Sequence, residues 1–209
     1  MNRRRTATIV SVVAALLIGL AAGVFLGRPN STDDGGPVLG TVEIGFAQDM
    51  SIHHEQAISL CDNLAADVDP KVGQVCAGIR ANQGREIGML RGWLELYDLP
   101  QSSPTPMAWM GSEHHGGHDI SSAQLPGMAS WMEIDELRGL NGRAAEVRFL
   151  QLMLRHHQGG LDMAGYAAGH TDVAPIERIA TGMVYEQTQE VLVMDQLLRD
   201  RSSAALPYP

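Results

Sequence analysis

The stretch FAQDMSIHHEQAISL, Phe46 to Leu60, returns later in the chain as FLQLMLRHHQGGLDM, Phe149 to Met163. A shift of 103 residues lays Phe46 on Phe149, Gln48 on Gln151, Met50 on Met153, His53 on His156 and His54 on His157. Each copy is followed by a second matching segment, IRANQGREIGML (Ile79 to Leu90) and MVYEQTQEVLVM (Met183 to Met194). There the shift is 104, so one loop has gained a residue, and Gln83 falls on Gln187 and Glu86 on Glu190. An internal repeat constrains a fold before any other feature does. This one predicts two related helical hairpins, with function sought where the copies meet.

Helical periodicity extends outward from the repeat. On a helix from about Ile44 to Ala66, Phe46, Met50, Ala57, Cys61 and Leu64 share one face. Asp69-Pro70 starts a second helix, with proline in the first turn, which runs to about Tyr97 and stops before Pro100. A short helix is expected over Ser130–Leu140. A third long helix should span Arg143 to Gly169-His170, and a fourth Ala174 to Arg201. The fold class is therefore all-α, a four-helix bundle over 44–201. Residues 101–128 interrupt it with many breakers, His114, His115, His118, Met107, Met110 and Met128, which suggests a mobile, metal-prone loop. The tail 202–209 reads as disordered.

Charge and composition narrow the environment. The formal charge is −9, but Arg3, Arg4, Arg5 and Arg28 all precede residue 29, where there is no acid. Removing those four from 15 basic residues leaves 11 against 24 acids, a formal −13 for the remainder. Such a surface disfavours nucleic acid and attracts cations, or simply keeps the protein soluble. After the basic start, Thr6 to Gly27 is an uncharged run of 22 residues, enough to span a bilayer. Residues 1–28 are thus a membrane anchor with the N-terminus inside the cell, or a cleaved signal peptide. The length of the run and the lack of a clean A-x-A site favour the anchor. Either way, the rest of the chain is expected to be exported. Residues 29–43, rich in Gly, Pro and small polar residues, form a linker.

The chemistry concentrates on the repeat. With Met50 central on the inward face of its helix, His53 lies about 60° to one side and His54 about 40° to the other. Met153, His156 and His157 repeat the arrangement. Glu86 and Glu190 edge the apolar faces of the following helices, and a carboxylate turned toward an apolar interior needs a partner. The histidines of the neighbouring helix are the candidates. Two readings stay open. In one, each His–Glu pair is a buried network that fixes the hairpin register. In the other, imidazoles with Met50 and Met153 bind a transition metal, since imidazole suits Cu, Zn, Fe and Ni and thioether selects Cu(I). Eleven methionines against three phenylalanines are a soft-ligand bias. Cys61 and Cys76 flank the AADVDPK turn at similar distances. In an oxidising compartment they are expected to pair as a disulfide closing about 15 residues; packing as small buried thiols and, third, binding copper as thiolates are the alternatives. No G-x-S-x-G, Walker loop, G-x-G-x-x-G after a strand or H-E-x-x-H is present, so an enzyme is not indicated.

MSIHHEQAISL and MLRHHQGGLDMA, with LPGMASWMEIDELRGLNGRAAEVRFLQ leading into the second, resemble the bacterial domain-of-unknown-function family 305. The resemblance covers roughly Gly45 to Arg199. It implies a ferritin-like four-helix bundle of exported proteins, some of them linked to copper handling. The positions it carries over are Met50, His53, His54, Met153, His156, His157 and Met163. Leu60-Cys61 stand where the family usually has Met-Ala. No di-iron centre is implied, because Glu86 is followed by Met89 and Glu190 by Val193 rather than by the Glu-x-x-His such centres use. The expected function is an exported transition-metal binding protein, copper foremost, for buffering, detoxification or delivery, with Glu86 and Glu190 beside the histidines. The alternative is an accessory subunit of a membrane or envelope complex, or a homo-oligomer, whose His–Glu pairs only stabilise the bundle. A metal-dependent redox enzyme is the third class.

Overall fold

The computed structural model describes residues 38–111 and 125–208. The expected anchor or signal segment, most of the linker, and His114, His115 and His118 lie outside them. Among the described residues there is no strand, and no helix is long and apolar enough to cross a membrane. Five helices follow in order: α1 Thr41–Asp62, α2 Pro70–Leu96, α3 Trp131–Arg138, α4 Gly142–His170 and α5 Ala174–Asp200.

Local chemistry fixes the boundaries. Helix α1 starts at Thr41 rather than Ile44, because the Gly40 N–H donates to Glu43 Oε2 at 2.7 Å and the other Glu43 oxygen accepts from Thr171. It stops at Asp62, where Asn63 Nδ2 turns back on the Ser59 carbonyl. Asp69 caps α2 by accepting from the Lys71 N–H, with Pro70 in the first turn. Ser130 and Glu133 form a reciprocal capping box on α3.

The core falls into two clusters. One holds Phe46, Met50, Leu90, Leu94, Met163, Ala167, Ile176 and Met183; the other holds Ala57, Leu60, Cys76, Ile79, Phe149, Met153, Met194 and Leu198. The early part of α1 thus packs with the late parts of α2 and α4, so both run antiparallel to α1, and α5 runs parallel to it. Residues between α2 and α4 form one long crossover, the topology of ferritin-like bundles. The histidines lie between the two clusters, at mid-height.

Three expectations are corrected. The described flanks of the 101–128 segment are packed, not mobile: Met107, Trp109, Met110 and Leu125 are buried. Asp49 holds them, its Oδ2 accepting from the Met107 N–H at 2.7 Å and Trp109 Nε1–H at 2.8 Å. Gly45 leaves the space that the Trp109 ring fills. The tail through Tyr208 is also ordered. Leu206 packs on the core, the Ala204 carbonyl accepts from Gln151 and the Tyr208 hydroxyl donates to Asp162. Upstream, buried Arg201 is locked to Glu146 at 2.6 Å. Finally, Cys61 and Cys76 are free, buried thiols, and Cys61 donates to the Cys76 carbonyl at 3.8 Å. The Cys76 thiol beside it and burial push the Cys61 thiol well up, and the two side chains pack as small apolar groups.

Candidate metal centre

All four repeat histidines are without exposed surface. His53 and His156, equivalent in the repeat, stack across the bundle with ring centroids 3.8 Å apart. His54 and His157 point the other way, each to the carboxylate of its own hairpin. His54 Nε2 meets Glu86 Oε2 at 2.8 Å, and His157 Nε2 meets Glu190 Oε2 at 2.7 Å. The two pairs lie close enough that His54 and Glu86 feel the charges of His157 and Glu190.

Acceptors decide the tautomers, since a carbonyl oxygen can only accept. His53 Nε2 faces the Pro126 carbonyl at 3.0 Å and His156 Nε2 faces the His53 carbonyl at 3.0 Å. Both rings therefore carry their proton on Nε2. His54 does the same when Glu86 is ionised, since a carboxylate can only accept. The Nδ1 atoms of His53, His54 and His156 are then bare lone pairs, and none meets a partner among the described residues. His157 breaks the symmetry: its Nδ1 faces the Met153 carbonyl at 3.0 Å and its Nε2 faces Glu190, so both nitrogens are already engaged.

Burial sets the charges. It lowers His53 to about 3, helped by His54, and lowers His54 to about 3, helped by His157. His156 is held well below the ordinary value by burial and His53. Burial raises Glu86 to about 7, against the pull of Arg85. His53, His54 and His156 are thus neutral imidazoles, the form that ligates metals.

The predicted residues do not form one cluster. Met50 and Met163 share one core cluster with Met107, Met110 and Met183, whereas Met153 packs in the other with Met194. Leu60 occupies the place equivalent to Met163, so the thioether-rich side is that of Met50. Among the described residues no three His, Cys, Asp or Glu side chains are grouped to hold an ion. That donor set does not suit a zinc or di-iron site of hard ligands. Bare imidazole nitrogens and buried thioethers are the donor types that suit a soft ion of low coordination.

The sequence assigns no role to several residues of the site, although the repeat does match Gln83 with Gln187. Asp49 is fully buried with one oxygen unpartnered among the described residues, and burial raises its pKa. Gln83 and Gln187 are buried with both amide atoms unpartnered among the described residues. Gln56 and Arg155 hold the segment that covers His53. The Gly159-Gly160 pair was the visible cue, because two glycines inside a helix imply something packed against them.

The model of the family described as Domain of unknown function (DUF305) matches residues 43–198. A DUF305 protein from Streptomyces coelicolor, described as secreted, is 36% identical at a TM-score of 0.71, over 80% of this chain and 96% of that one. A DUF305 fragment from Deinococcus radiodurans is 27% identical at 0.64, over 78% of this chain and 99% of that one. CopM in its Cu(II)-bound form shares the fold at 21% identity and a TM-score of 0.58, over 76% of this chain and 96% of that one. No curated protein matches. The chain belongs to the DUF305 family.

Proposed function

We propose that this is an exported copper-binding protein that holds the ion as Cu(I) within the bundle, for buffering, detoxification or delivery. The observation that carries the reading is the set of bare, buried Nδ1 atoms on His53, His54 and His156, next to a core cluster that holds Met50 and Met163. A buried lone pair without a donor costs about 1–3 kcal/mol, and a soft cation would satisfy it. Glu86 supports the reading: its Oε2 meets His54 Nε2, and a carboxylate that accepts from that nitrogen raises the basicity of the free one. Met153 and the His157–Glu190 pair are the supporting half, because that ring's nitrogens are spent. CopM has been solved with Cu(I) and with Cu(II), which favours copper among the soft ions. Export rests on the apolar segment Thr6–Gly27, read as an anchor or a signal, and on the relative described as secreted.

The test is Cu(I) competition against a chromogenic chelator, using the chain purified without a histidine tag. His54→Ala should weaken binding by about tenfold or more and keep the fold, since Glu86 can take up a proton. His157→Ala should lower stability more than affinity. The proposal fails if His54→Ala binds Cu(I) like the parent and only melts lower; the structural-network reading would then stand.

A further inference from the structure

Anything that reaches the four imidazoles must first displace part of their cover. Lifting a long helix would break both core clusters. The irregular segment Leu125–Ala129 is smaller: it puts only Leu125 into one cluster and Ala129 into the other, with Met128 partly buried, and its backbone lies over His53, held by a few hydrogen bonds. Its Pro126 carbonyl accepts from His53 Nε2 at 3.0 Å. Gln56 grips it like a paired strand, Nε2 donating to the Ala129 carbonyl at 2.9 Å and Oε1 accepting from the Ala129 N–H at 2.6 Å. Arg155, whose guanidinium is bound mainly to Glu133, reaches the Gly127 and Met128 carbonyls at 3.4 Å. Two glycines let the segment lie flat on α4. A Cβ on Gly159 would sit 2.0 Å from the Pro126 carbonyl oxygen, and Gly127 has a φ of +73° with the Arg155 carbonyl where its Cβ would be.

The repeat is broken at this place in a telling way. Gln56 and Gly159 are equivalent positions, so one copy supplies the grip and the other the bed. We propose that Leu125–Ala129 is the gate of the histidine layer and that Gln56 is the positioning residue that latches it. Closed, the gate excludes water and, through the Pro126 carbonyl, keeps the His53 proton on Nε2 and the Nδ1 lone pair free. Open, it exposes the His53–His156 stack and releases that tautomer. Gln56 is half-exposed, so water competes for its amide and the latch is reversible. What passes the gate rests on the copper reading; the gate itself does not.

The test uses the full chain and Gln56→Ala, a change to the best helix former. Diethyl pyrocarbonate acylates unprotonated imidazole, and peptide mass spectrometry reports each histidine, with exposed His170 as reference. In the parent, His53 and His156 should react far more slowly than His170. In Gln56→Ala their rates should rise about tenfold, with those of His54 and His157 following much less. Gln56→Glu, which keeps the acceptor for the Ala129 N–H, should fall between. Nitrogen-15 shifts of His53 should change from one Nε2–H tautomer to a mixture, a change that mere destabilisation of a folded sample would not give. Cu(I) uptake should speed up by a similar factor. Unchanged acylation of His53 and His156, or an equal rise at all four histidines, overturns the gate. Faster acylation in a protein that takes up no copper keeps the gate and discards the copper reading.

Discussion

His53 and His156 stack at 3.8 Å, and the second ring donates to the backbone carbonyl of the first. Two imidazoles so close cannot both be charged in a core. His53 and His54 are lowered to about 3 and His156 well below its ordinary value, whereas an unfolded histidine takes up its proton near 6.5. Below that pH the unfolded chain binds more protons, so the stability these rings contribute is present above 6.5 and lost as pH falls toward 3. Glu86 acts oppositely: raised from 4.5 to about 7, it favours the fold at low pH and less as pH rises through that window. Three rings outweigh one carboxyl. The melting temperature should therefore fall steadily between pH 6.5 and 4.5, at about 1.4 kcal/mol per pH unit for each net proton. His53→Phe, which keeps the ring contact, should flatten the profile. A melting temperature constant across that range would refute the account.

The thiols give a second prediction. Cys61 and Cys76 are buried in the core cluster between α1 and α2, and Cys61 is held protonated by its neighbour and by burial. Protonated buried thiols are inert toward disulfide reagents. The folded, unreduced protein should release no colour with an aromatic disulfide reagent, and the same sample in denaturant should titrate two thiols. No thiols in denaturant would mean that the pair is bonded after all.

Much of this was legible in the sequence because the repeat carried it. The M-x-x-H-H copies placed His53, His54, His156 and His157 in the core, and the matching segments after them placed Glu86 and Glu190 opposite. The features that stayed hidden have no period. Asp49 sits at the position equivalent to Leu152, so the repeat argued against a role for it; only the fold brings Met107 and Trp109 onto its carboxylate. The 101–128 segment looked loose because its buried residues meet the bundle from irregular backbone, where spacing says nothing about burial. Met50 and Met153 looked alike along the chain, yet antiparallel packing sends them into different clusters. The Tyr208 tail reads as short and disordered, but its anchor at Asp162 lies 46 residues away.

The amides of Gln83 and Gln187 carry the last prediction. Both are buried, and neither nitrogen nor oxygen of either has a partner among the described residues. Gly160 makes room for one of them, since a Cβ there would lie 2.3 Å from Gln187 Oε1. A buried amide without partners costs about 1–3 kcal/mol, and an apolar group of like size removes that penalty. Gln187→Leu should therefore raise the urea midpoint, by about 1–2 kcal/mol in stability, with the slope unchanged. Functional sites commonly trade stability for activity, and a buried amide kept at a cost in the bundle that carries the histidines is expected to be such a trade. The same variant should then bind Cu(I) more weakly than the parent, although it is the more stable protein. A Gln187→Leu protein that is less stable than the parent would show that the amide is satisfied in solution and that its place in the core is structural.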